Sequence, residues 1–190
     1  MVSLLQYGAS LLFRIHGYSY YSNKGFGYWH RSPNKEAPSP PDRAPPIVII
    51  HGIGSVLSLL WFVTHLAVRA PDRAIFVLDI SSVSMRLPRP THFPTPQNTT
   101  SSISKMLQEH LPTNTPAIFF GHSLGSALIV WLLKHVPELI AGIVLVDPIS
   151  LLLQHVDVAH NFIYRQPQSA AETFFEWIAR EQGTIFHEVC

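Results

Sequence analysis

The sequence predicts an α/β protein with a mostly parallel sheet that is covered by helices on both faces. Four short segments are apolar at nearly every position, which is typical of parallel strands that are buried on both sides. Helix-length segments separate them, as the connections of a parallel sheet require. The third segment runs directly into a Gly-x-Ser-x-Gly pentapeptide. The four segments are 47–50, 74–78, 117–120 and 142–146.

The elements follow one another in a regular order. The first strand is followed by a helix predicted over 55–68, and the second ends at Asp79 before a proline-rich loop. The next helix has apolar residues at i, i+3, i+4 and i+7 spacing and stops at Pro112. The helix that follows the third strand, 124–136, is apolar nearly all round and stops at Pro137, because proline cannot continue a helix.

Composition limits the size and the partners of the protein. The 190 residues are 47% hydrophobic, which is enough for one core. Charged residues make up only 13%, about half the usual share. The net charge of +1 gives no reason to expect nucleic acid as a partner. Cys190 is the only cysteine, which excludes a disulfide framework and a cysteine-based zinc site.

The first 46 residues are predicted to form an N-terminal extension. Residues 1–15 have helical spacing, with Leu4, Leu5, Leu11, Leu12 and Ile15 on one face. This face can dock on the core of the protein, which we favour, or lie on a membrane surface. No apolar stretch reaches the ~20 residues of a membrane span. Residues 17–46 are rich in Tyr, Gly, Pro and Ser and are predicted to be irregular.

The pentapeptide Gly121-His122-Ser123-Leu124-Gly125 is the strongest functional signal in the chain. Between a strand and a helix, this pattern is typical of a nucleophile elbow, a turn so tight that glycine is needed beside the serine. The carboxyl ends of parallel strands meet at one edge of a sheet. We therefore expect Ser123 to lie near Asp79, Asp147 and the turn from His51 to Gly54.

These residues resemble the α/β-hydrolase superfamily from about Gly27 to the end of the chain. Several other strings resemble a little-characterised eukaryotic branch, common in fungi, of AB hydrolase-1-type proteins; they are Val83–Leu87, Val146–Pro148 and Asp157–Arg165. The resemblance implies an α/β-hydrolase fold in which Ser123 is the nucleophile. It also implies an oxyanion hole made by the backbone N–H groups of Ile53 and Leu124. Such a serine mechanism needs no metal and no organic cofactor.

The sequence departs from this superfamily after residue 150. The superfamily continues into further strands that bring an acid and then a histidine. Here residues 151–190 are predicted to form a lid-like segment, with a capping box at 169–172 that opens a helix. The remaining half of the sheet is missing from the sequence, and we interpret the chain as a C-terminally truncated hydrolase.

The other members of a catalytic triad are therefore open. Asp147 is a weak candidate for the acid, since Asp-Pro at a strand end is also a common turn. The histidines that follow Ser123 are not on loops after a strand; they are His155, His160 and His187. We expect the side chain of His122 to point away from Ser123, and His51 to support the oxyanion turn by hydrogen bonding.

Three functions stay open from sequence alone. The first is hydrolysis of a carboxylic ester, thioester or lipid ester of a hydrophobic acyl group through acyl-Ser123, impaired in this chain without its base. Acyl transfer by the same intermediate is the second, and non-catalytic binding of a lipid or a protein is the third. Nucleotide binding is not expected, because no GxGxxG or GxxxxGK[ST] follows any strand. The compartment is unresolved, with an intracellular location favoured and membrane contact allowed.

Overall fold

The computed structural model describes residues 2–22, 26–34, 44–53, 56–84, 95–150, 156–157 and 160. Within them lie four α-helices and six β-strands. The helices are α1 (Val2–Ile15), α2 (Leu60–Arg69), α3 (Pro96–His110) and α4 (Gly125–His135). The strands are β1 (Ser19–Ser22), β2 (Gly27–Arg31), β3 (Ile47–Ile50), β4 (Ile75–Asp79), β5 (Ala117–His122) and β6 (Ile140–Val146).

The six strands form one sheet in the order β1-β2-β4-β3-β5-β6. Strands β3 to β6 run parallel to one another, and β1 and β2 are antiparallel additions beside β4. The predicted fold class and its four parallel strands are confirmed.

Helices cover both faces of the sheet, as predicted. Alternate residues of a strand point to opposite faces. Val48 and Phe76 pack in one core cluster with apolar residues of α3 and α4. Their neighbours Ile49 and Ile75 pack in a second cluster with Phe13 of α1 and with the buried face of α2. The strand β3 and residues 75–78 of β4 are therefore apolar, because each of their faces lies under helices.

Local signals set the helix ends. The Thr95 side chain accepts a hydrogen bond from the N–H of Asn98 at 3.2 Å, and Pro96 occupies the first turn of α3. This arrangement satisfies one of the four free N–H groups at a helix start. Helix α4 ends at His135, and its C-cap Val136 has a non-helical backbone (φ −144°, ψ 52°) and precedes Pro137, which disfavours the helical conformation in the residue before it.

Helix α1 docks on the core, as favoured, but its predicted buried face is wrong. Ala9 and Phe13 are buried, whereas Leu11, Leu12 and Ile15 are exposed. The ring of Phe13 stacks on Trp29, with centroids 4.9 Å apart, and makes an edge contact with Tyr18. Aromatic packing with residues that follow in the chain thus decides which face is buried.

Strands β1 and β2 were predicted to be irregular, and that prediction was wrong. They pair with each other, and β2 pairs with β4 over five residues from Gly27↔Asp79 to Arg31↔Ile75. The partners in β2 and β4 lie more than forty positions apart in the chain, so the tyrosine- and glycine-rich local pattern gives no sign of that pairing.

Strand β6 forms the other edge of the sheet within the described residues. Its apolar residues Ile143, Val144 and Val146 are exposed. An apolar edge strand is a site where a further strand or another chain can pair.

None of the described helices is long and apolar enough to cross a bilayer.

A histidine pair makes stability depend on pH. His30 is 7% exposed, stacks on Phe76, and lies 4.1 Å from the ring centroid of His110. Burial, helped by nearby His110, lowers the pKa of His30 to about 4 from its usual 6.5. Below pH 6.5, His30 is therefore protonated in the unfolded chain but stays neutral in the folded protein. The free energy of unfolding falls as the pH is lowered, until about pH 4.

We predict that the free energy of unfolding drops by about 2–3 kcal/mol from this source between pH 6.5 and 4. Replacement His30→Phe, which keeps ring packing without titration, should flatten that part of the profile measured by urea unfolding. The control His65→Gln, on the exposed face of α2, should keep the wild-type slope. Equal slopes in all three proteins would contradict the assignment to His30.

Candidate active site

Ser123 lies on the tight turn between β5 and α4, and its φ of 50° is in the left-handed region. This conformation is rare for a residue with a side chain and persists only where the surroundings impose it. The predicted turn is present. That Ser123 acts as the nucleophile stays a prediction at this point.

Two glycines allow the turn to form. A Cβ on Gly121 would lie 2.6 Å from the Cδ1 of Ile129. A Cβ on Gly125 would collide with the carbonyl of Ile50, in the neighbouring strand β3. The pattern therefore needs glycine at both positions, because the backbones of β3, β5 and α4 touch there.

The turn after β3 contacts Ser123 through a third glycine. A Cβ on Gly52 would lie 2.8 Å from the Cβ of Ser123 and 3.3 Å from its Oγ. The parallel pairing of β3 with β5, which ends at Ile50↔Gly121, brings the two turns side by side. The hydroxyl of Ser123 thus lies against the backbone of the 51–53 turn.

Hydrogen bonds fix the backbone of Ser123 on both sides. Its N–H donates to the carbonyl of Val146, at the end of β6, over 3.0 Å. The hydroxyl of Ser126 donates to the Ser123 carbonyl at 2.7 Å and accepts from the N–H of Ser150 at 3.2 Å. Ser126, which sequence analysis missed, therefore ties the elbow to the segment that follows β6.

The two amides proposed for the oxyanion hole belong to the residues that follow Ser123 and Gly52, which contact each other. Leu124 follows Ser123, and Ile53 follows Gly52. Neither N–H donates a hydrogen bond to another described residue. Both donors are thus unused by the described part of the chain, as a binding site for a developing negative charge requires.

His51 holds the turn that contains Gly52. The N–H of Ile80 can only donate, so Nε2 of His51, 3.2 Å away, is the acceptor. Nδ1 then has the proton and donates to the carbonyl of Gly52 at 2.6 Å. With both ring nitrogens occupied and the ring fully buried, His51 supports the turn, as expected, and is not placed to take a proton.

Asp79 and Ser84 complete the support behind His51. The Ser84 hydroxyl lies 2.6 Å from Oδ1 of Asp79, to which it donates, and 3.4 Å from Nε2 of His51. The hydroxyl of Tyr20 donates to the other carboxylate oxygen at 3.4 Å. Asp79 is buried at the expected edge of the sheet, where it has a structural role as the acceptor of these two hydrogen bonds. Tyr20 was not singled out by sequence, because its partner Asp79 lies on a strand far along the chain.

The acid and the base are not assembled around Ser123 in the described residues. Asp147 directly follows Val146 and is exposed, with a φ of 49° and no hydrogen bond or ion pair to a described residue. No described histidine forms a hydrogen bond with the Ser123 hydroxyl. Nδ1 of His122 is buried without a hydrogen-bond partner. His155 and His187 lie outside the described residues, and exposed His160 has no recorded contact with Ser123. Among the described residues, no group of three acidic, histidine or cysteine side chains could hold a metal ion.

Comparison with known proteins identifies a family model and a set of similar folds. The model of the alpha/beta hydrolase family matches residues 47–189. No curated protein matches the chain. Residues of the predicted lid-like segment fall inside the family match, although most of them lie outside the described residues.

Several solved structures share the fold at low sequence identity. A lipase-like protein from Acinetobacter baumannii has a TM-score of 0.58 and 14% identity, with coverage of 93% of this chain and 57% of its own. A carboxylesterase from Bacillus subtilis has a TM-score of 0.54 and 19% identity, and the match covers 77% of this chain and 50% of the carboxylesterase. A bacterial membrane phospholipase A has a TM-score of 0.54 and 16% identity, and the match covers 77% of this chain and 44% of the phospholipase. The chain thus spans about half the length of these structures.

The contact between Gly52 and Ser123 can be tested by a double-mutant cycle. Gly52→Ala should lower the free energy of unfolding by about 1–3 kcal/mol, because the new methyl overlaps the Ser123 side chain. Adding Ser123→Gly removes that overlap and should restore about 1 kcal/mol beyond additivity. The measurement is urea unfolding of the four proteins.

The control is Gly142→Ala, since a Cβ there meets nothing closer than 3.7 Å. It should be near neutral and additive with Ser123→Gly. Additive energies for Gly52→Ala and Ser123→Gly would mean that the two turns do not touch.

Proposed function

Because this chain belongs to the alpha/beta hydrolase family, we propose that it contains the nucleophile half of a serine hydrolase that cleaves carboxylic esters, thioesters or lipid esters. The observation that supports this most is the position of Ser123. Its left-handed backbone holds the side chain against the turn after β3, and two unused amide donors follow the two turns. In this proposal Ser123 is the nucleophile, and Ile53 and Leu124 form the oxyanion hole.

The proposed reaction has two halves. Oγ of Ser123 attacks the carbonyl carbon while its proton passes to a base, and the carbonyl oxygen gains a negative charge between the two amides. The intermediate collapses, and the alcohol or thiol leaves with the proton. Water then attacks the acyl-Ser123 ester in the same way, so that the acid is released and the serine hydroxyl is restored.

The base determines how fast this chain can react. His51 is committed to two hydrogen bonds, and no described histidine is bonded to the Ser123 hydroxyl. We propose that the working base and acid come from residues outside the described part, with Asp147 a candidate for the acid. Without a bonded base, the Ser123 hydroxyl stays protonated and reacts slowly, and we propose that the reaction is impaired wherever those residues are not in place.

The proposed substrate is a small ester with a hydrophobic acyl group. The apolar character expected of the lid-like segment favours such a substrate. One similar fold is described as a membrane phospholipase A, which is a statement about that protein. A lipid-like ester would be met at a membrane surface, so contact with a membrane surface is part of the proposal. Nucleic acid is not proposed as a partner.

Two alternatives use the same site differently. Acyl transfer would share the acyl-Ser123 intermediate and deliver the acyl group to an alcohol instead of water. A non-catalytic binding domain would keep the elbow and the turn after β3 but never acylate Ser123, and the unassembled base supports that alternative for this chain. Product analysis with an added alcohol distinguishes acyl transfer from hydrolysis. A serine-directed probe distinguishes non-catalytic binding from a reaction at Ser123.

The first test is labelling with a fluorophosphonate, which reacts with activated serine hydroxyls. We expect slow labelling of the folded chain that disappears in Ser123→Ala. The matched control is Ser101→Ala, since Ser101 is an exposed serine on α3, and labelling should be unchanged there. A folded chain that takes up no probe would remove the enzymatic proposal in favour of binding.

The second test supplies the base from solution. Imidazole should raise the Ser123-dependent hydrolysis of p-nitrophenyl butyrate about tenfold, because a general base typically contributes a factor of 10² or more. The rate of Ser123→Ala at each imidazole concentration measures the uncatalysed background. If imidazole raises both rates by the same amount, the missing-base account is wrong.

A further inference from the structure

Helices α1 and α2 present one apolar surface away from the protein. Both pack on the same face of the sheet, through Phe13 of α1 and through Val63 and Ala67 of α2. Because their buried residues share one cluster, their outward sides face the same direction. We define the α1–α2 face as five outward residues that are 58–81% exposed. They are Tyr7, Leu11, Ile15, Trp61 and Val68.

The spacing shows that this exposure is systematic. Tyr7, Leu11 and Ile15 follow one another at i, i+4 and i+8, a single stripe on the side of α1 opposite buried Ala9 and Phe13. On α2, Trp61 and Val68 are seven positions apart, two helical turns, and so occupy one line. The two stripes lie on neighbouring helices, and Ile15 and Val68 line one groove between them. Exposed apolar residues grouped in this way mark an interaction surface.

The charged residues within the two helices are of one sign. Within α1 and α2, Arg14 and Arg69 are the charged residues, and neither helix contains an acidic residue. Arg31, which is almost fully buried, adds a third guanidinium between the ends of the two helices, where it donates to the carbonyl of Ala70 at 3.5 Å. It pairs with no described carboxylate; Asp72, in the turn after α2, is the acidic residue that follows.

We propose that the α1–α2 face binds the surface of a membrane that contains anionic phospholipids. Leucine, isoleucine and valine would enter the acyl region, and tryptophan and tyrosine favour the interface, where one end of the ring is apolar and the other wet. Arginines at the rim attract anionic headgroups. The contact that we propose is made by the exposed sides of α1 and α2.

This surface also lies close to the candidate active site. Helix α2 follows the carboxyl end of β3, so Trp61 in its first turn is near the sheet edge that contains Ser123, while Arg69 is at the opposite end. A membrane bound to this face would bring lipid to the side of the serine. This inference rests on the proposed function, whose membrane contact it assigns to a particular surface, but it can fail separately, because Ser123 takes no part in the binding.

The test is co-sedimentation of the 190-residue chain with vesicles of phosphatidylcholine containing 30% phosphatidylserine, compared with pure phosphatidylcholine. We expect binding to the mixed vesicles that weakens at least fivefold without phosphatidylserine or with Arg14→Ala and Arg69→Ala combined. Leu11→Asp and Trp61→Asp should each weaken it about tenfold. Ser123→Ala should bind as wild type, so a failed reaction would leave this result untouched.

The control is Leu133→Asp, which places the same charge on an exposed leucine of α4, on the other face of the sheet. Its binding should equal that of the wild type. Equal losses for Leu133→Asp and Leu11→Asp would overturn the proposal, as would the absence of binding to mixed vesicles. Light scattering would then show whether the face instead joins two copies of the chain, which the same Leu11→Asp change would separate.

Discussion

The close approach of three backbone segments around Ser123 is the constraint on which the site depends. The turn after β3, the end of β5 and the start of α4 meet at distances that leave no room for a Cβ on Gly52, Gly121 or Gly125. This contact forces Ser123 into the left-handed region and places its hydroxyl beside the backbone of the neighbouring turn. Burial of β3 and β5 under helices on both faces supplies the stability that keeps so strained a turn in place.

Sequence was sufficient for features whose signals are local. The apolar runs of β3 to β6, the glycines of the elbow and the proline stops of the helices each identify an element without reference to the rest of the chain. Long-range pairing was not readable in this way. Strands β1 and β2 gain their place from β4, and the buried face of α1 is decided by rings of Tyr18 and Trp29, which no helical periodicity within α1 reports.

The site divides along the same line. Ser123 and the turn from His51 could be named from motifs, because the glycine spacing is dictated by the geometry of the turn. The supporting network of Tyr20, Asp79 and Ser84 could not, since it joins β1, β4 and the segment after β4. The catalytic acid and base lie far along the chain from the serine nucleophile, so the elbow motif does not identify them. Asp147 therefore stays a candidate for the acid. The fungal branch and the truncation stay predictions as well.

The most direct test of the central claim is a crystal structure of the chain after reaction with an alkyl fluorophosphonate. The account predicts phosphorus bonded to Oγ of Ser123, with the phosphoryl oxygen about 2.7–3.1 Å from the backbone nitrogens of both Ile53 and Leu124. That oxygen would then mark where the oxyanion of an ester develops. An adduct whose oxygen points away from both amides, or an unmodified serine in a folded crystal, would contradict the account.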